Sequence, residues 1–163
     1  MRQMHGGAQI KNLRVLVITE LAVLVIDQIS KLAVIHYFGE GESVEIIAWF
    51  FDLVHFRNPG AAFGIFNEGG VARRVFLLAT SGAALAVIFF LLKETKDSLV
   101  ALGLSLVAGG AAGNLVDRVR FGSVVDFLYF HAGPYYWPAF NIADSAITTG
   151  VILSAVFHYF RRP

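Results

Sequence analysis

Two aspartates in apolar surroundings are the residues of this sequence best suited to chemistry. Asp126 lies in Ser123-Val124-Val125-Asp126-Phe127-Leu128, with no Lys or Arg within five positions, and Asp144 begins a long apolar run. Apolar surroundings desolvate a carboxylate, which raises the pKa of Asp126. Two carboxyl groups that meet can share one proton, so that one takes a proton from water while the other protonates a leaving group. The pair predicts acid–base hydrolysis, on the hypothesis that the fold brings both side chains together.

Other polar residues have spacings that place them on shared helix faces. Asp27 and Lys31 are four positions apart, which favours an ion pair on one face. Asn114, Asp117 and Arg118 share a face in the same way, and a guanidinium held by a carboxylate is suited to position a substrate carbonyl group. Each group also has a purely structural interpretation, as a buried ion pair or a helix-end cluster.

Three further features also have structural interpretations. Asp144 has a structural interpretation as a partner of a helix amino terminus. The sequence Asn58-Pro59-Gly60 predicts a turn. The turn is either purely structural or presents the Asn58 side chain to an extended peptide. The small-residue stretch from Gly109 to Gly113 predicts close helix packing.

Four long apolar segments must position these residues. The chain is 56% hydrophobic and 15% charged, whereas soluble domains average roughly 45–50% apolar and about 25% charged residues. Stretches of about 20 apolar residues predict transmembrane helices, and they cover residues 13–35, 75–92, 98–116 and 139–160. The first lacks a small-x-small cleavage site, so we expect a retained helix. We therefore expect one all-α membrane domain over residues 1–163 with four transmembrane helices.

The four spans place nearly all the unusual polar residues on one side of the membrane. The exception is Glu20, midway along the first span, which pairs inside the bundle or lies in a shallow wet position. Seven basic residues lie on the side of the two termini: Arg2, Lys11, Arg14, Lys93, Lys96, Arg161 and Arg162. Five lie on the other side. The positive-inside rule therefore puts both termini in the cytoplasm.

The loop over residues 36–72 is too long for a simple turn. Its stretch from Val44 to Phe56 is rich in β-branched and aromatic residues and predicts one or two strands at the membrane surface. Trp49 and the aromatic stretch from Tyr135 to Trp137 are typical of an interfacial aromatic belt. A small β-structure on the outer side is therefore expected.

Composition and motifs argue against several other chemistries. There is no cysteine, so thiolate metal sites, disulfides and cysteine nucleophiles are excluded. No H-E-x-x-H zinc motif occurs. Ser123 and His131 lie in one loop and are an alternative nucleophile and base, although no nucleophile elbow surrounds the serine. The net charge of +1 without a basic run disfavours nucleic acid as a partner.

Five short motifs, taken in order, resemble the lipoprotein signal peptidase family, also called signal peptidase II. They are Asp27-Gln28-Ile29-Ser30-Lys31, Arg57-Asn58-Pro59-Gly60-Ala61-Ala62-Phe63, Gly113-Asn114-Leu115-Val116-Asp117-Arg118, Val124-Val125-Asp126-Phe127 and Phe140-Asn141-Ile142-Ala143-Asp144-Ser145. The resemblance implies an intramembrane aspartyl endopeptidase with Asp126 and Asp144 as its catalytic pair. Its substrates would be prolipoproteins, cleaved just before a diacylglyceryl-modified Cys.

The resemblance also implies roles for the remaining motif residues. Substrate binding or support would fall to Asn58, Gly60, Asn114, Arg118, Asn141, Asp27, Lys31 and Asp117. Among these, Asn58 and Arg118 would bind substrate, and Asn114 and Asn141 would orient the catalytic region. The family needs no metal and no cofactor, and its fold has four transmembrane helices, a small β-structure and a short surface helix on the outer side. We expect a monomer in the bacterial inner membrane, with membrane lipid as a further partner.

Two other classes of protein remain open. In a small ion-coupled carrier, Asp27, Lys31, Asp117 and Asp144 would form a proton path. Such paths usually lie near the midplane between repeated halves, whereas here the charges crowd one end and no repeat is visible. A structural membrane subunit would keep its function after Asp126→Asn or Asp144→Asn, and a protease would not.

Overall fold

Four helices and four strands make up the described chain. The computed structural model describes residues 5–60 and 70–160, with side chains from residue 13 onward. The helices are α1 (His5–Tyr37), α2 (Val71–Glu94), α3 (Ser98–Phe121) and α4 (Ile142–Phe160). The strands are β1 (Ser43–Ile47) and β2 (Phe51–Asn58), between α1 and α2, and β3 (Val124–Ala132) and β4 (Tyr135–Phe140), between α3 and α4. Each predicted apolar segment forms a helix, except that residues 139–141 belong to the end of β4 and the turn after it.

Three of the helices, α2, α3 and α4, are long and apolar enough to cross a membrane. The part of α1 whose side chains are described carries four charged residues, Arg14, Glu20, Asp27 and Lys31, and α1 is not among the three. The crossing of the membrane by α1 therefore stays a prediction.

Local sequence signals set both ends of α3. Asp97 Oδ1 accepts hydrogen bonds from the first-turn amides of Leu99 and Val100, and Gly122 ends the helix with a φ of 74°.

The strands form one antiparallel sheet in the order β1-β2-β3-β4. The hairpin of β1 and β2 confirms the strands predicted between Val44 and Phe56. The hairpin of β3 and β4 was not predicted, although Gly133-Pro134 between two aromatic stretches is a turn signal. The expected small β-structure is therefore confirmed, as a sheet with one more hairpin than the sequence predicted. The short surface helix implied by the resemblance is absent from residues 38–60, and residues 61–69 lie outside the described chain.

Helix α3 is the centre of the bundle, because α1, α2 and α4 all pack against it. The close approach depends on glycine: a Cβ at Gly110 would overlap the carbonyl oxygen of Ala143 in α4, and one at Gly109 would meet the carbonyl oxygen of Glu20 in α1 at 2.8 Å. The predicted close packing along Gly109–Gly113 is thus confirmed. The sheet sits on one end of this bundle, where Val125 and Phe127 of β3 pack on Val34 of α1.

Candidate active site

The junction between the sheet and the bundle gathers the polar residues singled out in the sequence. Asp126 comes from β3 and Asp144 from the first turn of α4. Asn58 ends β2, and Asn114 with Asp117 lies near the carboxyl end of α3. The structure thus brings both predicted aspartates into one hydrogen-bonded network with most of the predicted supporting residues.

Asn141 joins the two aspartates directly. Its Nδ2 donates to Asp126 Oδ1 at 2.7 Å and to the carbonyl oxygen of Val125 at 3.2 Å. Its Oδ1 accepts from the backbone N–H of Asp144 at 3.0 Å, and its own N–H donates to Asp144 Oδ2 at 3.3 Å. This reciprocal pair is a capping box at the start of α4. The capping of α4 therefore orients the Asp144 carboxylate.

Asp126 receives a second amide donor from the opposite side. Asn58 Nδ2 donates to Asp126 Oδ2 at 3.0 Å, while Asn58 Oδ1 accepts from the Gly60 N–H at 2.9 Å, so the turn fixes the amide. The pKa of Asp126 is raised to about 6, chiefly by burial of the carboxyl group and also by the nearby Asp144 charge. The donors on Asn58 and Asn141 act in the opposite sense, because they favour the charged form. The predicted direction is confirmed.

A buried ion cluster supports the other aspartate. Lys31 Nζ lies 2.9 Å from Asp27 Oδ2, 3.0 Å from Asp117 Oδ2 and 2.9 Å from Asn114 Oδ1. Lys31 is 1% exposed, and Asp27 and Asp117 are 0% exposed. With its oxygen held by Lys31, Asn114 directs its Nδ2 to Asp144 Oδ1 at 2.8 Å. The cluster thus positions Asp144 through one intervening amide.

The same cluster fastens the sheet and α4 to the bundle. Asp117 Oδ2 accepts from the Val125 N–H of β3 at 3.0 Å, and Asp27 Oδ1 accepts from the Ala143 N–H of α4 at 2.9 Å. Gln28 Nε2, which the sequence did not single out, donates to Asp117 Oδ1 at 3.0 Å. Its only sequence signal is its place beside Asp27 in the first motif.

Arg118 lies near the aspartates but has a different partner from the one expected. Asp117 bonds Lys31 and not Arg118, because adjacent residues on a helix point about 100° apart. Arg118 Nη1 contacts Ser81 Oγ of α2 at 3.4 Å. The guanidinium interacts electrostatically with the carboxylates of Asp144, Asp117 and Asp126. Arg118 therefore places a positive charge beside the aspartate pair.

The alternative pairing of Ser123 with His131 is wrong. The two residues lie at opposite ends of β3, about 26 Å apart at 3.3 Å per residue. His131 Nε2 instead lies 3.1 Å from Asp52 Oδ1. The site therefore offers two carboxyl groups as acid and base, with amides and one guanidinium around them.

Comparison with known proteins gives one consistent result. The sequence profile of the family described as "Signal peptidase (SPase) II" matches residues 19–160. The lipoprotein signal peptidase of Syntrophus aciditrophicus (strain SB) is 44% identical over 149 residues, which cover 90% of this chain and 92% of that protein. That of Desulforapulum autotrophicum is 42% identical over 139 residues, covering 83% and 85%. A solved bacterial membrane enzyme aligns with a TM-score of 0.80 at 30% identity, covering 91% of this chain and 94% of that structure.

Proposed function

The chain belongs to the signal peptidase II family, whose members remove signal peptides from prolipoproteins, and we propose that it does so as an aspartyl endopeptidase with Asp126 and Asp144 as its catalytic pair. The single observation that carries the assignment is the Asn141 side chain, which bonds Asp126 Oδ1 and the Asp144 amide at once. The bond cleaved is the one before a diacylglyceryl-modified Cys. The reaction needs neither a metal nor a cofactor.

Asp126 holds the shared proton and Asp144 is the base. This assignment is supported by the burial that raises the pKa of Asp126. Asp144 takes a proton from a water molecule, whose oxygen then attacks the scissile carbonyl carbon, while the Asp126 proton polarises the carbonyl oxygen. When the tetrahedral intermediate collapses, the C–N bond breaks and a carboxyl proton moves to the amine of the Cys.

Substrate binding falls to groups around the pair. Arg118 offers guanidinium N–H donors beside the carboxylates and binds a substrate carbonyl group. Asn58 and Gly60 form the turn on the other side of Asp126, where the turn contacts the extended peptide. Asn114 and Asn141 orient the pair, and the cluster around Lys31 supports them.

The enzyme is a multi-pass protein of the bacterial inner membrane. We infer that α1 is a fourth span, because its 33 residues suffice to cross and Asp27 and Lys31 neutralise each other inside the bundle. Both termini then lie in the cytoplasm and the sheet lies outside. The protein acts as a monomer and a single domain, with exposed apolar side chains of α2 such as Phe76 and Phe90 in contact with lipid.

The test uses the Asp126→Asn and Asp144→Asn variants with a diacylglyceryl-modified prolipoprotein peptide in detergent. Wild type is expected to cut before the modified Cys, as followed by gel shift. Each variant is expected to lose at least about a thousandfold in kcat, because each removes one of two groups that act together. The matched control is Asp52→Asn, which removes an aspartate paired with His131 on the far part of the sheet and is expected to keep activity.

Two outcomes contradict this assignment. A folded Asp126→Asn or Asp144→Asn enzyme with more than a few per cent of wild-type activity removes that residue from the pair. A folded wild-type protein that never cuts the peptide argues for the ion-coupled carrier. A proton-flux assay in liposomes would then test that alternative.

A further inference from the structure

A cleft that faces the lipid lies between α1 and α2, on the bundle side of the aspartate pair. Both helices pack mainly on α3, and a cavity of about 440 Å³ lies between them. The cavity is lined by Leu21 and Leu24 of α1, Leu85 and Phe89 of α2, and the small residues Ala108 and Ala112 of α3.

Glu20 is the ionisable side chain in the lining of this cleft. It makes no hydrogen bond or ion pair with another residue in the described part of the chain. Lys93 of α2 lies over the Phe89 ring, at 4.8 Å from its centroid. An acidic group at membrane depth is costly unless a partner arrives, so the occupant of the cleft is expected to supply one.

The depth of the cleft matches the length of one part of a signal peptide. Along α3, Ala112 and Ala108 lie about 3 Å and 9 Å below Asn114, and along α1 Glu20 lies about 10 Å below Asp27, at 1.5 Å per residue. The Asp27 carboxylate accepts from the Ala143 amide, one residue before Asp144, so Asp27 marks the height of the aspartate pair. The apolar region of a signal peptide has about 7–15 residues, or about 10–22 Å as a helix, and a basic region precedes it. A peptide with a short apolar region and its cleavage site at Asp126 therefore brings its basic region to the depth of Glu20.

We propose that this cleft holds the apolar region of the signal peptide as a helix, and that Glu20 pairs with a Lys or Arg of the basic region. The proposal rests on the proposed function, because the peptide must reach the aspartate pair. Small side chains on α3 leave room for a helix to approach its backbone closely. A lipid acyl chain would fill the apolar walls but would leave the Glu20 carboxylate without a partner.

The first test compares Glu20→Gln and Glu20→Lys enzymes on diacylglyceryl-modified peptides whose basic region carries Lys, Ala or Glu. With the Lys peptide, Glu20→Gln is expected to raise KM about fivefold to tenfold with kcat unchanged, because a ground-state contact is lost. The Ala peptide should not distinguish Glu20→Gln from wild type. The Glu peptide should restore a low KM to Glu20→Lys. Glu40→Gln, in the loop after α1, is the matched control and should behave as wild type.

A KM change of the same size with the Lys and Ala peptides would overturn the ion pair. That result would leave the aspartate assignment intact, because cleavage itself would still depend on Asp126 and Asp144.

The second test locates the peptide without relying on kinetics. The chain has no cysteine, so Leu85→Cys in the cleft and Phe90→Cys on the lipid-facing side of α2 each give a single thiol. Phe90 is 62% exposed and does not line the cavity. A cysteine in the apolar region of the peptide is expected to cross-link to Leu85→Cys and not to Phe90→Cys. Equal cross-linking of both positions would show that the peptide does not occupy the cleft.

Discussion

Each carboxylate oxygen of Asp126 has its own amide donor, one from Asn58 and one from Asn141. The two donors stabilise the charged form, whereas burial and the Asp144 charge favour the protonated form. The balance leaves the pKa of Asp126 at about 6, high enough for the group to hold a proton and low enough to release it. In the proposed mechanism, Asp126 is therefore able to exchange its proton during turnover near neutral pH.

The pH dependence of cleavage follows from this balance. In the proposed mechanism the protonated form of Asp126 is the acid, so kcat/KM is expected to fall as pH rises above the upper pKa of the pair, which lies at or above about 6. Asn58→Ala removes a donor to the charged form and therefore raises the pKa. The fall should then move to higher pH by about one unit.

Initial rates at low substrate concentration between pH 5 and 9 measure this shift. Ser43→Ala, which removes a hydrogen bond to Asp52 on the far part of the sheet, serves as the control. A fall that moves to lower pH in Asn58→Ala would contradict the role of Asp126 as the acid.

At the residue scale, local sequence patterns predict part of the site. The apolar surroundings of Asp126 and the i, i+4 spacing of Asp27 and Lys31 are both visible in it, and both interpretations agree with the structure. The partner of Asp117 was not predictable, because it depends on the rotation of α3 against α1. The spacing Asn141-x-x-Asp144 is a capping signal for α4, and the capping contacts also position the carboxylate of Asp144.

At the scale of elements, the packing of α3 on α4 sets the height of Asp144. Gly110 lies against the Ala143 carbonyl group in the first turn of α4, one residue before Asp144. Any side chain at this position must push the two backbones apart. The capping box and the bond from Asn114 then lose their alignment together.

A pair of glycine substitutions measures this effect. Gly110→Ala is expected to lower kcat about a hundredfold, because a displacement of about 1 Å is enough to misplace a catalytic group. Gly82→Ala in α2 is the matched control, since a Cβ there meets no atom within 4 Å, and its activity should equal that of wild type. Equal activities for both variants would show that the contact does not position Asp144.

The elements that the sequence did not predict are those with weak local signals. The four apolar segments gave helices because length and composition are enough. The strands β3 and β4 were missed because Asp126 interrupts an apolar stretch and Pro138 interrupts the next one, which obscures the alternation expected of a strand.

At the scale of the whole molecule, the predicted orientation of the helices across the membrane depends on which side carries more basic residues. The margin of seven against five is small, and the sheet and the aspartate pair lie together at one end of the bundle. The sequence therefore predicts the clustering of the site more firmly than the side of the membrane on which the site lies.

Single cysteines in the otherwise cysteine-free chain determine this side. A membrane-impermeant maleimide added to intact spheroplasts is expected to label Trp137→Cys in β4, which is 67% exposed. Lys96→Cys, in the turn between α2 and α3, should be labelled only after permeabilisation. The opposite pattern would place the site in the cytoplasm.

The bond from Asp27 to the Ala143 amide joins the first helix to the last across 116 positions of the chain. The ribosome releases α1 long before α4, so the Asp27 carboxylate must enter the membrane without its final partner. Lys31, one turn away, accompanies it as a counterion and stays paired with it in the folded chain. A nascent chain or a truncated product without α4 therefore carries Asp27 into the membrane with its charge balanced. Such a chain lacks Asp144, so we expect it to be inactive.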